Sequence, residues 1–138
     1  MANYYATIRT NYFGVSDESK FRDILELCCA EDTIHLFEYE DSTSKFGFGC
    51  NGTIYGLVTG EDDTGFDLDA FYKALQELVA EGDAIIITEV GFEKLRYLIG
   101  CCTVITKNDI RFVNVQDKAI ELARSMLQDN NFTTQMDY

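Results

Sequence analysis

The sequence predicts an α+β domain: a mainly antiparallel sheet with about three helices packed on one face, in the order β-α-β-β-β-α-β-β-β-α. Two observations carry this. Strand-like runs come in groups of three with hairpin-length links, instead of alternating singly with helices as a parallel sheet requires. No proline or low-complexity linker interrupts the chain, and its 138 residues suffice to bury a core without covalent staples. Residues 1–128 are therefore expected to form a single domain, with 129–138 as a frayed tail.

The elements follow in order. Residues 4–13 alternate and are rich in aromatic and β-branched side chains, as a strand requires, and Gly14 ends the run. Ser16 is an N-cap candidate, Asp17 and Glu18 suit a first helical turn, and Phe21, Ile24, Leu25 and Cys28 share one helical face. Three strands are expected over 33–39, 45–50 and 53–58, joined by DSTS and by Asn51-Gly52, a hairpin signal. A second helix spans 68–81, with Leu68, Phe71, Leu75, Leu78 and Val79 inward and Gly82 as its stop. AIIITEV, residues 94–106 and IRFVNV read as three more strands, the last two joined at Lys107-Asn108-Asp109. Asp117 then caps a final helix with Ala119, Ile120, Ala123, Met126 and Leu127 inward.

Charge narrows the function. The net charge is -13, yet hydrophobic residues make up 46% and the chain holds 8 Tyr and 10 Phe, which marks a folded protein and not an acidic tail. The excess is uneven: residues 1–30 carry a net of -1, residues 31–69 a net of -9 and residues 70–138 a net of -3. Phosphate backbones and anionic membranes repel such a surface, whereas a basic protein attracts it. The 5 cysteines are odd in number and include two adjacent pairs, and MANYYATIRT lacks the apolar run of a secretory signal. A reducing cytoplasm is expected.

Catalytic and metal chemistry find little support. GEDDTGFDLD, residues 60–69, cannot be a calcium loop beginning at Asp63, because its sixth position would be Leu68 where a glycine is needed. Asp67 and Asp69 could pair around magnesium, but capping the helix that follows is the simpler role. His35 is the one histidine, set in a strand without a nucleophile patterned beside it. The cysteines lack zinc-site spacing, and Cys28 and Cys101 suit core positions as small hydrophobes. Gly47, Gly49 and Gly52 alternate with aromatics but open no helix, so they do not cradle phosphate. No catalytic residue, metal ligand or cofactor is assigned; the chain is not expected to be an enzyme.

The acids left unexplained by capping are Glu38, Glu40, Asp41, Glu61, Asp62 and Asp63, with Tyr39 between two of them as an anchor. They are the expected partner-binding residues. Carboxylates fixed by a fold at spacings comparable to DNA phosphates, one charge per ~1.7 Å of duplex, can occupy a basic nucleic-acid channel in place of the nucleic acid.

Two stretches, YYATIRTNYFGVSDESKF (4–21) and EVGFEKLRYLIG (89–100), resemble small acidic proteins of bacterial phages and conjugative elements, elements that carry anti-CRISPR and antirestriction genes. The resemblance covers about a fifth of the chain and implies a setting, direct binding of a host nuclease, without assigning site residues. In the second stretch, Leu95, Tyr97 and Ile99 are expected to alternate inward on a strand, with Arg96 paired to a carboxylate; the alternative is a second contact surface. The leading expectation is an anti-defence inhibitor that binds the basic surface of a CRISPR effector or restriction enzyme by acidic DNA mimicry, contacting neither nucleic acid nor membrane itself. The alternative is a protein–protein adaptor or self-associating protein (a homo-oligomer) of a mobile element, whose acidity serves only solubility.

Overall fold

The computed structural model describes residues 4–39, 44–59 and 65–134. The main sheet contains β1 (Tyr5–Thr10), β2 (Phe13–Gly14), β4 (Ile34–Glu38), β5 (Lys45–Cys50), β8 (Ile85–Glu93), β9 (Tyr97–Ile105) and β10 (Ile110–Asn114). It runs β10-β9-β8-β1-β5, every pairing antiparallel, with β2 continuing along the edge of β5 used by β1 and β4 on the other. A smaller sheet orders β3 (Cys28–Ala30), β6 (Ile54–Thr59) and β7 (Gly65–Asp67) as β3-β6-β7. Helices α1 (Glu18–Leu27), α2 (Leu68–Leu78) and α3 (Val115–Leu127) complete the α+β fold in the expected order, with β2, β3 and β7 as short additions.

The core forms where α1 and α2 lie on one face of the main sheet. Phe21 and Leu25 of α1 and Phe71, Leu75 and Leu78 of α2 pack on Ile8, Phe46, Phe48, Ile87 and Ile105. Phe21 sits among Phe13, Phe46 and Phe48, and Phe48 meets Phe71 edge-on. These side chains alternate along their strands and therefore share the helix side of the sheet.

Several local expectations are corrected. Asp17, not Ser16, caps α1, accepting from the Lys20 N–H, and Asn114, not Asp117, caps α3 through the N–H groups of Gln116 and Asp117. Helix α2 ends at Leu78, because Val79 (φ -61°, ψ 136°) turns extended and bridges Val15; Gly82 serves the turn beyond, at φ 81°. Asn51-Gly52 does not close a hairpin: Cys50 is paired with both Ile8 and Ile34, so the chain leaves the main sheet and β6 pairs with β3. Lys94, Leu95 and Arg96 form the β8–β9 turn and not the start of a strand, and Leu95 is 88% exposed at its tip. Helix α3 buries no residue, and Ala119, Met126 and Leu127, expected inward, are exposed. After α3, Gln128 adopts the left-handed conformation and Arg124 Nε donates to the Phe132 carbonyl.

Candidate functional site

Five of the seven expected partner-binding residues, Glu40, Asp41, Glu61, Asp62 and Asp63, lie outside the described residues. The other two stand at the end of β4. Glu38 pairs with Phe46 in register, on the helix side, where Arg22 of α1 reaches it at 2.5 Å while also lying 3.5 Å from Glu18. Hydrogen bonding to Glu38 raises the Arg22 guanidinium further above its already high range. Glu38 is therefore a partly neutralised charge. Tyr39 is 48% exposed with its ring 5.0 Å from that of Tyr12, a half-buried aromatic that can serve as an anchor.

Other acids join Glu38 on this side. A groove of about 800 Å³ runs between α1, β3 and β4, and Glu26, Glu31 and Asp32 line it together with Arg22. Glu31 and Asp32 belong to the net -9 window but carry no pattern of their own. The legible signal was their place just after a helix, where carboxylates oppose the dipole and need another reason to be there. Part of that reason is local: Glu31 accepts from the Thr53 N–H at 3.3 Å, and Asp32 from the Thr33 N–H at 2.7 Å.

The opposite face of the main sheet has another character. Register places Tyr5, Thr7 and Arg9 of β1, Ile86, Thr88, Val90 and Phe92 of β8, Leu98, Gly100, Cys102 and Val104 of β9, and Arg111 and Val113 of β10 on this outer face. Lys45, Gly47 and Gly49 of β5 and His35 and Phe37 of β4 continue it. None of these positions is Asp or Glu. The carboxylates on main-sheet strands, Glu38, Glu89 and Glu93, all point to the helix side. One region of the outer face is apolar: Val90 is 59% and Phe92 51% exposed, and with Leu98 and Val115 they border an open groove of about 370 Å³. An antiparallel sheet with one solvated face ordinarily carries polar side chains there, as at Thr7, Arg9, Thr88 and Arg111, and the Val90–Phe92–Leu98 region departs from that pattern.

The residues weighed for chemistry are dispersed. Asp67 is the N-cap of α2, accepting from the Ala70 N–H at 3.0 Å, and Asp69 sits in the first turn. His35 is exposed on the outer face opposite Gly49. All five cysteines are free thiols; burial pushes Cys28 up to about 12 and also raises Cys50. Cys101 is only half-buried and belongs to a cavity wall rather than the core. Gly47 and Gly49 sit within β5, where a Cβ would come within 3.0 Å of the Asn11 and Ile8 carbonyls respectively. No group of three or more His, Cys, Asp and Glu among the described residues is placed to hold a metal ion, and no helix among them is long and apolar enough to cross a membrane.

No family model, curated protein or solved structure matches the chain.

Proposed function

We propose that the protein is a non-catalytic binding protein that presents its anionic side to the basic, nucleic-acid-binding surface of a host nuclease complex, of the CRISPR-effector or restriction type. The observation that supports the reading is the sidedness of charge. In a chain of net -13, the three strand carboxylates of the main sheet, Glu38, Glu89 and Glu93, lie on the helix side, the side that also carries the Glu26–Glu31–Asp32 groove, and no strand position of the outer face is acidic. Acids held by sheet and helix lose little freedom on binding, so attraction to a lysine and arginine array is not spent on ordering them.

The test is the binding of the full chain to purified effector and restriction nucleases, measured from about 50 to about 500 mM salt with duplex DNA as competitor. Displacement by DNA and affinity falling at least tenfold over that range are expected, because exposed charge pairs are screened within about 8 Å at physiological ionic strength. Affinity indifferent to both salt and DNA refutes the reading.

The apolar region of the outer face favours a second reading, an adaptor or self-associating protein with acidity serving solubility. Its binding buries apolar surface, so added salt leaves it unchanged or strengthens it.

A further inference from the structure

Among the carboxylates on the helix side of the main sheet, Glu89 stands at the wall of a cavity. Glu89 of β8 lies opposite Cys101 of β9 and beside Ile8 of β1, amid residues otherwise fitted to packing. It borders a mostly enclosed cavity of about 150 Å³ between α2 and the sheet. An apolar protein cavity of this size holds a benzene ring.

The surroundings are built around that carboxylate. Tyr4 donates to Glu89 at 2.8 Å, and its ring can cross the strand only because residue 91 is glycine: a Cβ there would stand 2.1 Å from the Tyr4 hydroxyl. A carboxylate offers about four acceptor positions, and one tyrosine leaves most of them unused. Among the described residues no cation lies within ion-pair distance of Glu89. The nearby acids stay neutral. Burial, then the hydrogen bond to Glu89, raises the Tyr4 phenol, while burial, then the Glu89 charge, raises the Cys101 thiol. Burial likewise raises Tyr72, with the Glu89 charge among the further causes.

We propose that this cavity is a binding site for a small organic ammonium ion, with the Glu89 carboxylate as counter-charge and the rings of Phe71, Tyr72 and Phe112 as walls. Such a cation satisfies both halves of the lining: it neutralises the carboxylate, and aromatic faces attract it through their quadrupoles. Water would fill the same space without neutralising the charge. The site is separate from the acidic groove and from the outer face, so it stands or falls independently of the nuclease-binding reading.

Titration of the isotope-labelled full chain with tetramethylammonium chloride, followed by amide NMR, tests the proposal. The controls are sodium chloride at equal ionic strength and tert-butanol, a neutral molecule of similar size. Saturable shifts at Glu89, Cys101 and Thr103 are expected with the ammonium ion alone. Glu89→Gln should weaken binding by roughly tenfold to a hundredfold, the worth of a contact to a charged group. Tyr4→Phe, which frees the carboxylate, should bind at least as tightly as the parent. If Glu89→Gln does not give a dispersed spectrum, Cys101→Met fills the cavity from the facing strand without altering charge, and it should abolish the titration. Equal shifts with tert-butanol, unchanged affinity in a folded Glu89→Gln or Cys101→Met protein, or no saturation by about 50 mM ammonium overturns the proposal; a ligand of so few atoms can reach a Kd near ~1 mM.

Discussion

Gly91→Ala isolates the contact on which the Glu89 wall depends. In most strands this substitution is harmless or favourable, since glycine is worse than alanine by roughly 0.5–1 kcal/mol. Here the new Cβ would meet three Tyr4 atoms first, the hydroxyl at 2.1 Å and two ring carbons at 2.4 and 2.7 Å. The ring must move, and Tyr4 precedes β1, so it can swing outward instead of deforming the sheet. The cost is then mainly the lost hydrogen bond to a charged acceptor, about 1.5–3 kcal/mol, plus part of the overpacking penalty of about 1–3 kcal/mol, less the gain in backbone preference. A net loss of about 2–3 kcal/mol is expected, read as a lower urea midpoint at unchanged slope. The decisive measurement repeats Gly91→Ala in a Tyr4→Ala background, which removes the three atoms nearest to the new methyl group. There it should be neutral or slightly stabilising. An equal loss in both backgrounds would show that the methyl group clashes elsewhere, and the account of Gly91 fails.

Four further outcomes bear on the fold and the anionic side. Asp67→Ala should cost about 1 kcal/mol in urea unfolding by removing the cap of α2, while Asp67→Asn, which can still accept from Ala70, should cost little. Asp83 resists burial, which opposes its charge, through N–H donors from Gly14 and Ala84 and the nearby Lys45, and its carboxyl is held below the usual value. Its contribution is therefore present above the unfolded carboxyl pKa, near ~3.9, and lost as pH falls through the lower folded one; Asp83→Asn should flatten stability against pH in that acid range. Arg22→Gln frees Glu38 and should raise affinity for a basic partner at low salt while leaving the circular dichroism spectrum unchanged. Leu122→Glu on α3 should shift stability by no more than about 0.5 kcal/mol, because that side chain is already exposed.

Legibility in the sequence followed the strength of local signals. The alternation of β1 and β8, the run at β5 and the helical spacing of Phe71, Leu75 and Leu78 each report one buried face, so their elements were readable. The cap of α2 was readable at Asp67, but those of α1 and α3 were not, because nearby polar residues compete: Ser16 and Asp17, or Asn114 and Asp117, are separated only by which carbonyl begins the helix. Asn51-Gly52 misled for a different reason. Both edges of Cys50 were already claimed within the main sheet, a long-range fact with no local trace. The period of α3 suggested a buried stripe, but periodicity reports amphipathicity and not what covers it. The candidate site was legible as an excess of acid in one window; its sidedness was not, since the face of each strand carboxylate depends on register.

Two mutants separate the two functional readings. Glu61, Asp62 and Asp63 belong to the net -9 window, so replacing all three by lysine changes the net charge from -13 to -7 while leaving every described core contact in place. If the protein binds a basic surface through its acids, this variant should lose affinity at low salt and converge on the parent at high salt, where screening has already removed the attraction. Val90→Glu does the reverse: it sets a carboxylate in the apolar region of the outer face beside Phe92 and Leu98 without reaching the core. It should leave charge-driven binding intact, yet impair contact made through the apolar face at every ionic strength, since burying an unpaired carboxylate is costly. A partner lost by the lysine variant alone is held by charge, and one lost by Val90→Glu alone is held by the sheet face. Loss in Val90→Glu with none in the lysine variant would overturn the charge-mimicry reading in favour of the adaptor.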